Sequence, residues 1–142
     1  SNRLELIRKS NNYAIYKDFA HSPSKLKATI QAMKCQFENR ELIACIELHT
    51  FSSLNAKFLE QYSGCMQEAD LAIVYFSKEE IKHKGLFPIT EDQIKKSFNK
   101  ENLLVFSNSE KLKSHLKSIK LENKNLLMMS SGNFNKLDYN EI

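Results

Sequence analysis

Glycine and proline are scarce in this chain of 142 residues, which has three of the former and two of the latter. Three glycines are too few for a glycine-rich phosphate cradle, and none of the patterns GxxxxGK[ST], GxGxxG, GxSxG or HExxH occurs. No apolar run approaches the roughly 20 residues that cross a bilayer. The sequence therefore predicts no self-contained phosphate loop, no serine-hydrolase elbow, and no membrane span or membrane partner.

Cysteine is also rare, and Cys35, Cys45 and Cys65 include no CxxC pair. Each lies on an apolar helix face or in a strand-like run, so we expect buried free thiols and no disulfides. The histidines are too far apart in sequence to form a recognisable metal motif. We predict that this chain forms no metal site by itself.

Charge of one sign is only mildly in excess, with 21 Lys and Arg against 17 Asp and Glu. The lysines are dispersed among apolar positions of predicted helices, and no RGG, RNP or zinc-finger pattern is present, so we expect no nucleic-acid partner. The length and the 42% hydrophobic content predict one globular domain over residues 1–142. The first residues show no secretory pattern, which favours the cytoplasm.

Strand-like segments recur along the whole chain. The first two flank the polar turn Ser10-Asn11-Asn12 and predict a hairpin or two close neighbours. The later ones are mostly continuous apolar runs, which are typical of strands covered on both faces. The predicted strands are 4–9, 13–18, 41–49, 71–76, 103–106 and 125–129.

Amphipathic helix patterns separate the later strands. Ser22 as N-cap and Pro23 at the first helical position predict where the first helix begins. Two capping boxes, Thr90-x-x-Gln93 and Ser107-x-x-Glu110, predict the starts of two others. The alternation predicts an α/β fold: a Rossmann-like three-layer domain with a mainly parallel sheet of about six strands and an N-terminal strand pair. The predicted helices begin near 22, 58, 77, 90 and 107 and run through Phe37, Met66, Ile81, Phe98 and Ile119.

Three polar segments, 18–22, 47–55 and 130–134, follow predicted strands. The carboxyl ends of parallel strands share one edge of the sheet, where ligands bind in open α/β folds, so we expect these segments to converge on one rim. In the first segment, Asp18 is suited to accept bonds from ribose hydroxyls or a substrate donor, and His21 to donate to phosphate oxygens. The alternative is that Asp18 only caps a turn and His21 is a surface imidazole.

The other two segments have the same two interpretations. Glu47, His49, Ser52, Ser53 and Asn55 combine hydroxyl, amide and imidazole groups that suit an anion or an amino-acid substrate, yet such a loop also caps a following helix. The small residues of the last segment let backbone amides approach a ligand closely, although many plain turns look the same. Its candidate residues are Ser131, Gly132 and Asn133.

The segment Asp18-Phe19-Ala20-His21-Ser22-Pro23 resembles the D-[YF]-A-H-x-P pattern of the C-terminal domain of the Mur ligases. These are ATP-dependent amide-bond ligases of peptidoglycan synthesis, and the resemblance extends over nearly the whole chain. Residues 47–55 are similar to the loop of the E-P-R-S-N or P-H-R-Y-S-R type, and 129–134 to the segment M-S-N-G-G-F. Within the family the chain is most similar to the branch that adds alanine, or a recycled muropeptide, to UDP-N-acetylmuramate.

The resemblance implies that Asp18 and His21 face the nucleotide, and that the other candidates of the two later segments face the acceptor amino acid or peptide. It also implies that ATP and Mg²⁺ are bound mainly by a central domain that is absent from this chain, together with an N-terminal UDP-binding domain. No catalytic residue and no cofactor are then expected here, and the fragment alone would be inactive. The chain departs from the pattern at Thr50 or Ser53, where alanine-adding enzymes have arginine, at Ser22, which replaces a common histidine, and at Asn133, which replaces glycine.

Two other interpretations of the sequence remain. One is a free-standing Rossmann-like module that binds a nucleotide or a sugar phosphate without catalysis. The other is an α/β domain that docks a protein partner and has no ligand.

Overall fold

A six-stranded sheet forms the centre of the protein in a computed structural model, which describes residues 4–142. The spatial order is β1-β2-β6-β3-β4-β5, with β1 antiparallel to β2 and the other neighbours parallel. This confirms the predicted mainly parallel sheet with an N-terminal strand pair. The strands are β1 Glu5–Lys9, β2 Tyr13–Asp18, β3 Glu41–Leu48, β4 Leu71–Phe76, β5 Leu104–Phe106 and β6 Lys124–Met129.

Helices cover both faces of the sheet and complete the predicted three layers. Buried residues of α1, α2 and α3 join one hydrophobic cluster, whereas α4 and the C-terminal segment join a second cluster on the opposite face. No helix among residues 4–142 is long and apolar enough to cross a membrane. The helices are α1 Pro23–Gln36, α2 Lys78–His83, α3 Glu91–Phe98 and α4 Ser109–Ser118, with 3₁₀ turns at Leu59–Tyr62 and Tyr139–Glu141.

Alternation along β3 decides which way its polar residue points. Leu42 and Leu48 share the parity that packs under α1, and Ile43 and Cys45 have the parity that faces α4 and the C-terminal segment. Glu47 has the second parity and lies one residue from the end of the strand. Its carboxylate is therefore placed at the sheet edge beside the C-terminal segment.

The predicted starts of α1, α2 and α3 agree with the structure, and the predicted start of α4 is wrong by one residue. Thr90 and Gln93 form the reciprocal capping box at α3. Ser22 and Pro23 occupy the predicted positions at α1, although the Ser22 hydroxyl makes no capping bond. At α4 the N-cap is Asn108, not Ser107, because the Asn108 side chain accepts from the Lys111 N–H and the helix begins one residue later.

The helix predicted over 58–66 is wrong. Only Leu59–Tyr62 is helical, as a 3₁₀ turn, and the flanking residues form successive i to i−3 turns. Cys65 N–H donates to the Tyr62 carbonyl at 3.0 Å, and Gly64 has φ +77°. The apolar residues still reach the core, since three-residue spacing places side chains on one face in a 3₁₀ turn as in an α-helix.

The prediction of three buried thiols is also wrong at one position. Cys45 and Cys65 are buried, but Cys35 is exposed. The buried face of α1 carries Leu26, Ile30 and Met33. Cys35 follows Met33 by two positions, about 200° around the helix, and so faces solvent.

Candidate functional site

The three predicted segments meet at the carboxyl ends of β2, β6 and β3. The Ser130 N–H donates to the Asp18 carbonyl at 3.1 Å, and the Ser130 hydroxyl donates to Glu47 Oε1 at 2.6 Å. We call residues 18–22, 47–49 and 130–134 the strand-end rim. The convergence predicted from the parallel sheet is therefore confirmed for these residues.

Glu47 is the anchor of the strand-end rim. It is 4% exposed, and its Oε1 also accepts from the Phe134 N–H at 2.8 Å. Its second oxygen lies 3.9 Å from Nδ1 of His49. A buried carboxylate is expensive unless it is hydrogen-bonded, and these donors meet that requirement. Burial and the nearby Glu47 charge together raise the pKa of Tyr75.

His49 packs directly on Gly132. A Cβ added at Gly132 would lie 2.9 Å from Cδ2 of the imidazole, closer than real side chains come, so glycine is required for this approach. The Gly132 N–H donates to the Ser130 hydroxyl at 2.7 Å, which fixes the turn. The sequence predicted that this glycine admits a ligand, whereas in the structure it admits the imidazole, whose side chain is 36% exposed.

The neighbours of Gly132 are placed differently. The hydroxyl of Ser131 is buried and has no hydrogen-bond partner among residues 4–142. Asn133 is exposed, and its side-chain oxygen accepts from the Lys136 N–H at 3.0 Å. Both residues lie on the strand-end rim, but the Asn133 side-chain oxygen is already used in a hydrogen bond within the local turn.

Asp18 and His21 are held by bonds within their own segment. Asp18 Oδ1 accepts from the Ala20 N–H at 2.7 Å, so one carboxylate oxygen forms the turn that was the alternative interpretation. His21 Nδ1 lies 3.0 Å from the Phe19 carbonyl. A carbonyl only accepts, so Nδ1 carries the proton and Nε2 is left for a further partner. The Tyr62 hydroxyl donates to the His21 carbonyl at 2.7 Å and supports this turn.

The remaining loop candidates do not gather around His49. Ser53 is 2% exposed, and its hydroxyl donates to the Thr50 carbonyl and accepts from the Thr50 N–H, as expected of a capping loop. Ser52 and Asn55 line a separate shallow cavity of about 250 Å³. The Asn55 side chain accepts from the Lys57 N–H at 2.9 Å. The loop thus divides between the strand-end rim and this cavity.

Helix α2 and the residue that follows it add charged groups that the sequence interpretation missed. Lys84 Nζ donates to Glu80 at 2.8 Å and lies 4.9 Å from the ring centroid of Phe51, which follows His49 by two positions. The Lys84 hydrogen bond lowers the pKa of Glu80, and the charges of His49 and His83 contribute to the same shift. The i, i+4 spacing of Glu80 and Lys84, soon after β4, is the sequence feature that could have predicted this ion pair.

Among residues 4–142, the glycine N–H groups that could approach a phosphate are occupied by hydrogen bonds within the protein. All three glycine N–H groups already donate to protein acceptors, Gly64 to Phe98, Gly85 to Lys82 and Gly132 to Ser130. Among residues 4–142, no group of three or more His, Cys, Asp or Glu side chains is placed to hold a metal ion. What the strand-end rim offers a ligand is imidazole and carboxylate side chains.

Comparison with known proteins identifies relatives of this domain. The sequence model of the family described as "Mur ligase, glutamate ligase domain" matches residues 2–132. A UDP-N-acetylmuramate–L-alanine ligase of Sulfurihydrogenibium sp. (strain YO3AOP1) is 31% identical in an alignment 136 residues long that covers 92% of this chain and 29% of that protein. The chain therefore spans less than a third of the length of this curated relative.

Two solved structures share the fold. One is a domain assigned to a UDP-N-acetylmuramate:L-alanyl-γ-D-glutamyl-meso-diaminopimelate ligase in Haemophilus ducreyi 35000HP, with a TM-score of 0.66, 23% identity, and coverage of 94% of this chain and 92% of that chain. The other is a MurF ligase of Thermotoga maritima solved with ADP, with a TM-score of 0.57, 16% identity, and coverage of 89% and 27%. At these identities the likeness concerns the fold alone.

Proposed function

This chain belongs to the Mur ligase family, as its glutamate ligase domain, and we propose that it is the closing, acceptor-binding C-terminal domain of a longer ATP-dependent amide-bond ligase. The observation that carries the proposal is the joining of three strand ends through Ser130, which brings Asp18, Glu47 and His49 to one edge of the sheet. The free-standing binding module finds no support among the relatives, which are ligases.

The reaction we propose is that of peptidoglycan synthesis or recycling in the cytoplasm. A carboxylate of UDP-N-acetylmuramate is activated as an acyl phosphate, and the amine of an amino acid or peptide displaces phosphate to form the amide. ATP and Mg²⁺ would be bound mainly by a central domain, as the family resemblance implies, and the engaged glycine N–H groups among residues 4–142 agree with this. Catalysis of this kind consists of positioning and of stabilising phosphoryl charge, so a closing domain matters without supplying a nucleophile.

Two groups of residues would divide the work. Asp18 and His21 would face the nucleotide, with His21 Nε2 donating to a phosphate oxygen when protonated, because its Nδ1 is committed to the Phe19 carbonyl. Glu47, His49 and Gly132 would face the acceptor. Ser52 and Asn55, in the adjoining cavity, would contact the more distant part of a peptide acceptor, and Ser53 would act only by holding the loop.

The test is acceptor-dependent release of ADP by the full-length polypeptide that carries this chain. With UDP-N-acetylmuramate, Mg²⁺ and ATP, we expect release only when an amino acid or peptide acceptor is added, and none from the 142-residue fragment. Ligation by the fragment alone would overturn the proposal. So would a parent polypeptide without a GxxGK[ST] loop after a strand upstream of this domain.

The role of Asp18 has a separate test in the full-length enzyme. Asp18→Ala should raise the KM for ATP and leave the KM for the acceptor near its original value. An unchanged KM for ATP would mean that Asp18 only stabilises the turn, through the hydrogen bond that its Oδ1 accepts from the Ala20 N–H.

A further inference from the structure

We propose that Glu47 and His49 work as a pair in which the buried carboxylate orients the imidazole and the imidazole takes the proton that the acceptor's ammonium group loses before it attacks. This inference rests on the proposed ligase function and assigns the proton-accepting group within it. Glu47 is then a positioning residue, since it acts through His49. His49 is the residue that would touch the acceptor.

The carboxylate of Glu47 is immobilised before any ligand arrives. Its Oε1 is held by the Ser130 hydroxyl at 2.6 Å and by the Phe134 N–H at 2.8 Å. These bonds leave Oε2 facing Nδ1 of His49 at 3.9 Å. Catalytic contacts in open, ligand-free sites are often longer than in the closed complex, so this separation suits a pair that tightens on closure.

The imidazole is restrained on a second side by the backbone. A Cβ at Gly132 would lie within 2.9–3.1 Å of Cδ2, Cγ and Nε2, so the glycine sets how closely the ring lies against the 130–134 turn. The His49 side chain nevertheless keeps 36% of its surface exposed. With Nδ1 directed at Glu47, Nε2 is the nitrogen that can meet a substrate amine and pass a proton on to solvent.

The chemistry requires such a group. An α-amino group is mostly protonated near neutral pH, and an ammonium has no lone pair with which to attack. In the proposed step one proton of the ammonium passes to His49 Nε2 and then to water. The free amine nitrogen then forms the bond to the acyl carbon, the bond from that carbon to the phosphate oxygen breaks, and phosphate leaves with the electron pair. The second proton, which the nitrogen loses as the amide forms, leaves with the phosphate.

The charged surroundings of His49 are mixed. Glu47 faces it from β3, and Glu80 on α2 is close enough that the charge of His49 lowers the pKa of Glu80. Lys84 neutralises Glu80 through its 2.8 Å bond, which leaves Glu47 as the unbalanced anion beside the ring. A negative neighbour stabilises the imidazolium that forms when the proton is taken up.

The second histidine of the strand-end rim is less suited to the task. His21 Nδ1 is held by the Phe19 carbonyl at 3.0 Å, a neutral partner that fixes the tautomer without stabilising a positive charge as a carboxylate does. The geometry thus separates the two imidazoles, with His49 paired to an anion and His21 to a carbonyl.

The decisive experiment compares two acceptors in the full-length enzyme. In His49→Gln, amide formation with the amino-acid or peptide acceptor should fall roughly 10²- to 10⁴-fold near neutral pH. Hydroxylamine, a nucleophile that is largely unprotonated at that pH, should still trap the acyl phosphate as a hydroxamate at close to the original rate. His83→Gln is the matched control, because His83 is exposed on α2 and also faces Glu80.

Glu47→Gln tests the orienting carboxylate. The amide oxygen can still accept from Ser130 and Phe134, so the turn is kept and only the charge beside His49 is lost. We expect lower kcat with the amine acceptor and an acid limb of the pH–rate profile displaced to lower pH, since the imidazolium loses its stabilising anion. A purely structural role would lower the rate without moving the acid limb.

Three outcomes overturn the pairing. They are full activity of His49→Gln with the amine acceptor, equal loss of the amine and hydroxylamine reactions in that variant, and an unmoved acid limb in Glu47→Gln. Failure of the proposed function looks different, because the unmodified enzyme would then release no ADP with any acceptor.

Discussion

Oε1 of Glu47 accepts a 2.8 Å hydrogen bond from the backbone N–H of Phe134, which lies 87 positions further along the chain. Phe134 has φ +53° and is followed by two more residues of left-handed conformation, Asn135 and Lys136. Such backbone costs about 1–2 kcal/mol per non-glycine residue. The buried ring of Phe134 and its bond to Glu47 offset that cost, so the turn that shapes the strand-end rim depends on one carboxylate.

Truncating Glu47 should destabilise this chain far more than neutralising it. Glu47→Ala leaves the Phe134 N–H and the Ser130 hydroxyl without their acceptor, and we expect a loss of about 3 kcal/mol in the free energy of unfolding. Glu47→Gln keeps an acceptor and should cost less than about 1.5 kcal/mol. Denaturant titration measures both, with exposed Glu79→Ala as the control near zero. Equal losses for Ala and Gln would mean that charge, not hydrogen bonding, holds the turn.

Tyr62→Phe should loosen the turn that carries His21. The variant removes the 2.7 Å bond from the Tyr62 hydroxyl to the His21 carbonyl but keeps the ring, which stacks on Phe98 with centroids 4.9 Å apart. We expect a loss of about 1 kcal/mol by denaturant titration, the usual worth of one such bond. Tyr16→Phe on β2 is the comparison, and a loss no larger than in that variant would show that the hydroxyl does not support the turn.

Much of the fold could be predicted because its signals are local. The continuous apolar run of β3, the polar turn before β2 and the Thr90 capping box each act within a few residues. The convergence on one rim also followed, since parallel strands end at the same edge. The motif at Asp18 and His21 was found for the same reason: its position after a strand and before a helix is readable from neighbouring residues.

What could not be predicted depends on distant contacts or on small differences between similar turns. The bond between Glu47 and Phe134 has no local signature, and neither does the fit of His49 on Gly132. The 3₁₀ turns at 58–66 have apolar spacing close to that of an α-helix, so the pattern alone predicted an α-helix there, which is wrong. At α4, Ser107 and Asn108 are both good N-caps, and only the backbone decides between them.

Asp70 should make the stability of this chain pH-dependent at the acid end. Partial burial raises the pKa of this carboxyl, but hydrogen bonds from Lys34 at 2.6 Å and from the Leu42 N–H at 2.7 Å outweigh burial and hold the pKa below its ordinary value. Because the pKa is lowered, ionised Asp70 stabilises the fold at any pH above its unfolded-state pKa near 4. This contribution is lost as the pH falls through the pKa of Asp70 in the folded state.

The measurement compares the chain with Asp70→Asn at about pH 6 and about pH 2. We expect Asp70→Asn to be less stable by about 1–2 kcal/mol at the higher pH, a modest figure because the ion pair is partly exposed, and the gap to close at the lower pH. Glu68→Gln, at an exposed position, is the control, and its stability difference from the unmodified chain should be the same at both pH values. A gap that persists at acid pH would mean that Asp70 stabilises by packing, not by charge.

One thiol should react in the native chain and three after unfolding. Cys35 is exposed, whereas burial raises the pKa of Cys65 to about 12 and, together with the Glu47 charge, raises the pKa of Cys45 still further. Thiolates are the reactive form, so the two buried groups are shielded by both burial and protonation. Titration with a chromogenic disulfide checks this, and Cys35→Ser should abolish the native reaction while leaving two thiols in denaturant.

Gly132→Ala should damage acceptor use specifically. The added methyl would meet Cδ2 of His49 at 2.9 Å, so either the imidazole or the 130–134 turn must move, at a cost of about 1–3 kcal/mol in stability. In the full-length enzyme we expect a higher KM or a lower kcat for the amine acceptor and an unchanged KM for ATP.

Gly85→Ala is the matched control: nothing lies within 4 Å of a Cβ there, but its φ of +70° strains alanine. That variant should lose about 1 kcal/mol of stability and keep its acceptor kinetics. Equal kinetic losses in both variants would mean that lower stability causes the effect and that His49 does not contact the acceptor.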